Sequence, residues 1–256
     1  MPMTMVELER ALRELRLSGM TATLEIRALQ VSSHEMTFLD AFSWLVQDEL
    51  DRRHTRRQER RRAVSGLPPE RKTLGELDWS YNTRLPRREI LELGTLKYIG
   101  VREDVLLLGP PGTGKSHVAK ALALMAIEHG YKVHYREAHD LIEDITEARE
   151  LGTLRKYRAQ LKAADLLVID DLFLRRLPAT AGDELADVLM SRYERGSTII
   201  TSNRVVEDWP KLLGDVVVVA PLLDRLMHHG HLLKFEGKSW RLKEAATRVA
   251  KKATQA

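Results

Sequence analysis

Along the first quarter of the chain, apolar residues recur at helical spacing: Leu8, Leu12 and Leu15, then Phe38, Phe42 and Leu45. Residues 1–65 hold no glycine except Gly19 and no proline except Pro2, so the period runs uninterrupted and predicts a small all-α N-terminal domain. It is lost at SGLPPERKTLGELDWSYNTRLPRREI, which Gly66, Pro68, Pro69, Gly75 and Pro86 punctuate. Residues 66–88 are expected to form a linker that packs along the next domain.

From about residue 89 the pattern changes kind. Short apolar runs alternate with helical stretches: VLLL at 105–108, YKVHYRE at 131–137, DLLVID at 165–170, STIITSN at 197–203 and HLLKFEG at 231–237. Such alternation predicts an α/β domain with a parallel sheet and helices on both faces. Runs that are apolar throughout suit strands buried on both sides. This domain is expected over 89–245, with a basic tail at 246–256 that frays.

Composition adds bounds to that picture. With 256 residues, 43% of them hydrophobic, the chain can bury one sizeable core and a smaller appended one. No apolar run approaches the roughly 20 residues that span a bilayer, and the start, MPMTMVELERALREL, is charged throughout, so neither membrane insertion nor export is expected. The absence of cysteine excludes disulfides and thiolate metal sites and fits a reducing cytoplasm. Net charge is only +4, but its placement is uneven.

The stretch DVLLLGPPGTGKSHVAKAL reads as strand, turn and helix, and its turn fits G-x-x-x-x-G-K-[ST] at Gly109, Gly114, Lys115 and Ser116. Such a loop turns successive backbone N–H groups, and the positive end of the following helix, toward a phosphate. The nucleotide-binding candidates are Gly109, Pro110, Pro111, Gly112, Thr113, Gly114, Lys115, Ser116 and His117. Lys115 would reach the β and γ phosphates, and the Ser116 hydroxyl would hold Mg²⁺.

Other pieces of an ATP site follow. Asp170 closes the apolar run Leu166 to Ile169 and is a candidate for holding Mg²⁺, directly or through water. Asp171 is a candidate base for the attacking water, although paired aspartates also simply end strands. Asn203, at the end of STIITSN, could orient water near a γ-phosphate or merely make a turn. Arg225, on a predicted helix, could serve a neighbouring subunit as an arginine finger or be an ordinary surface residue. His228, His229 and His231 lack carboxylate or thiolate companions at ligand spacing and are read as a wet helix end rather than a metal site.

Within DELDRRHTRRQERRRAV seven arginines cluster, Arg52, Arg53, Arg56, Arg57, Arg60, Arg61 and Arg62. Helical spacing gives Arg53, Arg56, Arg57, Arg60 and Arg61 one face, the footprint of phosphate-backbone binding. The bland alternative is a solvated helix balanced by Asp48, Glu49, Asp51 and Glu59. Arg149, Arg155, Lys156, Arg158 and Lys162, with Arg175 and Arg176, are a second candidate strip or plain helix surface. Nothing predicts base readout, so any DNA binding should be sequence-tolerant.

Together with SRYERGSTIITSNR, EDWPKLLGD, LLDRLMHHGH and FEGKSWRLKE, these motifs resemble the IstB family, AAA+ ATPase helpers of insertion-sequence transposases. The resemblance implies a P-loop AAA+ domain, a three-layer parallel-sheet architecture. It further implies an ATPase that uses ATP and Mg²⁺, oligomerises with ATP on duplex DNA, and assists a cognate transposase in target selection and insertion. By motif, Gly109 to Ser116 would be Walker A, Asp170 and Asp171 Walker B, Asn203 sensor 1 and Arg225 the finger. Many relatives carry Asp-Glu where this chain has Asp170-Asp171, which leaves the base open. No sensor 2 arginine or helical lid is evident after residue 237, and Arg241 is a weak match. A loader of the DnaC kind, whose nucleotide state gates contact with a helicase, is the alternative.

Overall fold

The computed structural model describes residues 2–33, 35–175, 177–178, 180–213, 216–228 and 230–254, with backbone alone at 216–219 and 249–254. Two compact units divide it, Met1–Arg61 and Arg62–Ala256.

Three helices make the first unit: α1 (Met5–Glu14), α2 (Ser18–Ser32) and α3 (Phe38–Val64), the last running past the division. A capping box starts α1, with Thr4 N–H donating to Glu7 at 2.8 Å while the Glu7 N–H returns to the Thr4 hydroxyl. Leu24 and Ala41 are the buried apolar side chains among this unit's described residues, and polar contacts join α2 to α3. Glu49, buried, accepts from the Gly19 N–H and from Arg53, both at 2.6 Å. Asp48 accepts from Thr23 at 2.7 Å and from Arg27 at 3.3 Å.

In the second unit, α4 (Arg87–Leu93) and α5 (Lys97–Val101) precede β1 (Asp104–Leu108), α6 (Lys115–Glu128), β2 (Val133–Glu137), α7 (Ala138–Glu150) and α8 (Leu154–Ala163). Then come β3 (Leu166–Leu172), α9 (Ala181–Arg192), β4 (Ser197–Ser202), α10 (Trp209–Leu213), α11 (Val216–His228), β5 (Gly230–Lys234) and α12 (Trp240–Thr254). The five strands pair in parallel in the order β2-β3-β4-β1-β5. Strand residues alternate between faces. Val105, Leu107, Val168 and Ile199 therefore pack with Val118, Leu122 and Ile127 of α6 and with Ile90 and Tyr98. Leu106, Leu108, Ile169 and Ile200 face the other way, onto Leu141 and Ile145 of α7, Leu185 of α9 and Leu222 and Leu226 of α11. The result is a three-layer α/β sandwich with a parallel sheet in the middle, as the alternating pattern implied.

In the stretch 66–88, Leu67 and Leu85 pack into the core and a 3-10 turn forms at Leu74–Glu76. The basic end expected to fray is helical as far as Thr254, in α12, and residues 255–256 lie outside the described residues. His231 lies in β5, as the run HLLKFEG implied, rather than at a helix end, its Nε2 2.8 Å from Glu103. His228 does end α11, and His229, like Arg176, lies outside the described residues.

Candidate nucleotide site

Strand β1 ends at Leu108 and the chain turns through the glycine-rich loop into α6. Gly114 opens the helix with φ 107°, a left-handed conformation that a side chain would strain, and so aims the helix N-terminus at the loop. Gly112, φ 77°, also leaves room for Ser239, which an added Cβ would strike. Beside this loop lies a cavity of about 500 Å³. Its wall gathers Lys115 and Ser116 with Asp171 from β3 and Asn203 from the end of β4.

Lys115 is nearly buried, and its ammonium donates to the carbonyls of Gly109 (2.7 Å) and Pro110 (2.8 Å) and to Asn203 Oδ1 (2.7 Å). Burial pushes its pKa down to about 8, although Asp171 and Asp170 pull the other way. Thr113 ties the loop to itself by donating to the Pro110 carbonyl at 2.8 Å. His117 places Nε2 2.7 Å from the Thr73 carbonyl, joining α6 to the preceding segment.

The two aspartates separate. Asp170 is fully buried behind the cavity wall, where Tyr135 donates to one carboxylate oxygen at 2.6 Å and Thr201 to the other at 2.5 Å. Asp171 faces the cavity. A register shift between β3 and β4 falls between Ile169 and Leu172, and Asp171 takes φ 54° there, its N–H donating to Thr201 Oγ1 at 2.8 Å. Burial, and next the Asp170 carboxylate, raise the Asp171 pKa, while Arg241 and Lys115 oppose the rise. Ser116 and Asp171 offer hard oxygen donors of the kind Mg²⁺ takes when phosphates and water complete its shell. Among the described residues no cluster of three or more His, Cys, Asp or Glu forms an all-protein metal cage.

Sequence reasoning missed Leu77, Asp78, Tyr81 and Asn82, which come from the stretch 66–88, and Trp240 from the first turn of α12, where Arg241, the weak sensor 2 match, also lines the wall. The Trp240 N–H donates to the Gly112 carbonyl at 2.9 Å, and the Tyr81 hydroxyl to the Ser239 carbonyl at 3.1 Å. Lys243 stands 4.2 Å over both the Tyr81 and Trp240 rings and 3.3 Å from Asp78. A helix thus does cover the loop after residue 237, and Arg241 belongs to the cavity. Its only signal in the sequence was the aromatic and basic pair Trp240 and Lys243 following Gly237.

A family profile described as IstB-like ATP binding protein matches residues 10–248. The chain belongs to this family. A protein of insertion sequence IS21 from Pseudomonas aeruginosa, named for ATP binding, is 33% identical over 240 residues, 94% of this chain and 90% of the relative. A counterpart of insertion sequence IS5376 from Geobacillus stearothermophilus is 32% identical, covering 94% and 96%. Among solved structures, AMPPCP-bound DnaA of Aquifex aeolicus aligns at 25% identity and TM-score 0.56 over 67% of this chain, which spans 51% of DnaA. The DnaC helicase loader aligns at 21% and 0.50, covering 62% of this chain and 98% of the loader, a likeness of fold.

Outside the cavity, this IstB-like chain keeps Arg225 exposed on α11, its guanidinium 5.3 Å over the Tyr193 ring and 3.1 Å from Met190 Sδ. It takes no part in its own chain's cavity wall. On α3, Arg56, Arg57 and Arg60 are exposed and Arg61 is half-buried. Arg53 is engaged by Glu49, which narrows the stripe, and Arg62, outside that face, donates to the carbonyls of Pro68 and Pro69. The second strip narrows too: Arg149 pairs with Glu184, and Arg158 with Glu184 (3.1 Å) and Asp187 (2.8 Å). Arg155, Lys156, Lys162 and Arg175 remain exposed. No helix among the described residues is long and apolar enough to cross a membrane.

Proposed function

We propose that this protein is an ATP-hydrolysing helper of transposition that acts in the cytoplasm. With ATP it oligomerises on duplex DNA, largely without sequence preference, and assists its cognate transposase in target selection and insertion. The observation that carries the reading is the convergence of Lys115, Ser116, Asp171 and Asn203 on one cavity, in a family associated with insertion sequences.

Mechanistically, Lys115 gives up the loop carbonyls for the β and γ phosphates, and the N–H groups of the loop and α6 take the remaining charge. Ser116, with Asp170 behind the cavity wall, would hold Mg²⁺, which would supply charge neutralisation. Asp171, its proton affinity raised, accepts the proton of the attacking water, and Asn203, freed from Lys115, orients that water. Arg225 acts on a neighbour's γ-phosphate, and its exposure away from its own cavity supports that assignment. The exposed arginines of α3 track the DNA backbone.

Light scattering tests this reading, comparing ATP, ADP and no nucleotide on non-specific duplex DNA at two salt concentrations. Growth that needs ATP and collapses at high salt is the expected result. A monomer indifferent to DNA in every state would instead favour a nucleotide-gated adaptor.

A further inference from the structure

Lys120 stands outside the phosphate-loop motif yet lines the same cavity. It follows Ser116 by four residues on α6, and that spacing puts both on one helix face. Its side chain is 24% exposed, and its ammonium lies 3.5 Å from the Asp170 oxygen that also accepts the Tyr135 hydroxyl. The same ammonium sits 5.4 Å from the centroid of the Tyr135 ring.

Asp170 needs such a partner. A fully buried carboxylate without a countercharge is strongly disfavoured, and Asp171 adds a second negative charge next to it. Lys115 gives its hydrogen bonds to Gly109, Pro110 and Asn203 and acts on Asp170 only through space. Tyr135 and Thr201 bring hydrogen bonds but no charge. The cation that touches Asp170 is Lys120.

We propose that Lys120 is the resident counter-cation of Asp170, and that Mg²⁺ arriving with nucleotide displaces it, so that Lys120 sets how much Mg²⁺ the site requires. The inference rests on the reading that the cavity takes Mg²⁺ and nucleotide. Two cations near one carboxylate repel each other, so the Lys120 ammonium either retreats or weakens the metal. Both routes raise the Mg²⁺ demand of the wild-type protein above that of a protein lacking this charge. A residue that binds a phosphate would instead strengthen nucleotide binding and leave the metal requirement alone.

The test uses the full chain and a fluorescent, non-hydrolysable ATP analogue, titrating Mg²⁺ at fixed nucleotide. Lys120→Met removes the charge but keeps the stem; Lys120→Gln removes it and keeps a donor; Lys120→Arg keeps the charge. Both neutral variants are expected to lower the Mg²⁺ midpoint about fivefold, the effect of a partly exposed ion pair, whereas Lys120→Arg stays within about twofold of wild type. Unshifted or raised midpoints in the neutral variants, beside normal wild-type binding, overturn this inference alone. Failure of both neutral variants to fold even with Mg²⁺ and nucleotide present also overturns it, because a displaceable counter-cation is dispensable once the metal is bound. Wild-type protein that binds no nucleotide at any Mg²⁺ concentration overturns the cavity reading and this inference with it.

Discussion

Burial shifts the Lys115 pKa down and the Asp104 pKa up, and the contribution of each weakens as pH rises. Burial holds the free Lys115 amine at about 8, and contact with phosphates would raise that value, so above pH 8 binding must take up a proton. Nucleotide affinity is therefore expected to be flat near pH 7 and to fall through pH 8 to 9, by at most about tenfold per pH unit. Fluorescence titrations across that range decide it, and a flat profile would mean that Lys115 does not meet the phosphates. Asp104, at the start of β1, accepts the Thr198 N–H at 2.7 Å, and burial raises its pKa to about 6 despite Arg192 nearby. A carboxyl whose folded pKa lies above its unfolded value of 3.8 contributes stability that is full below pH 4 and lost as pH rises through 6. Asp104→Asn keeps an acceptor for Thr198 and removes the charge. It should stabilise the protein at pH 7 by on the order of 1–3 kcal/mol, with the gain vanishing near pH 4. Urea unfolding at the two pH values checks this, and a loss at pH 7 would show that attraction to Arg192 outweighs burial.

At the scale of elements, the strands were legible because they are buried on both faces and so read as unbroken apolar runs. The phosphate loop was legible because its glycines and lysine act within a few residues of one another. What escaped depends on distant partners: Lys243 gains its meaning from Asp78, 165 positions away, and Tyr135 from Asp170, 35 away. No local period records such pairs. Helix α3 shows the same limit, since periodicity gave five of its arginines one face but could not tell that Glu49 occupies Arg53 among them. That difference is measurable. Replacing Arg56, Arg57 and Arg60 with serine should weaken duplex binding and flatten the plot of log affinity against log salt by up to about 3, roughly one unit per lost phosphate contact. Arg53→Ser should change the slope less, because that guanidinium is already paired. Equal slopes for wild type and the triple variant, from anisotropy with labelled duplex, would remove the stripe from the DNA interface.

At the scale of the whole molecule, one chain holds a cavity with the loop, Asp171 and Asn203, while Arg225 lies exposed elsewhere on α11. On the proposed reading, a finger on the surface of one copy serves a cavity on another, which makes hydrolysis a property of the interface between copies. Two defective proteins can then rebuild a working site. Lys115→Ala subunits lack the phosphate lysine but still present Arg225, and Arg225→Ala subunits still hold a complete cavity. Mixed in equal amounts with duplex DNA, they form productive interfaces wherever an Arg225→Ala cavity meets a Lys115→Ala neighbour. Random assembly gives that arrangement at one interface in four, so phosphate release should recover up to about a quarter of the wild-type rate from two proteins that are each inactive. Recovery should peak near the equal mixture and disappear when DNA is withheld, because assembly precedes chemistry. No recovery at any ratio, with both variants co-assembling by light scattering, would take Arg225 out of the active site and return it to its contacts with Tyr193 and Met190.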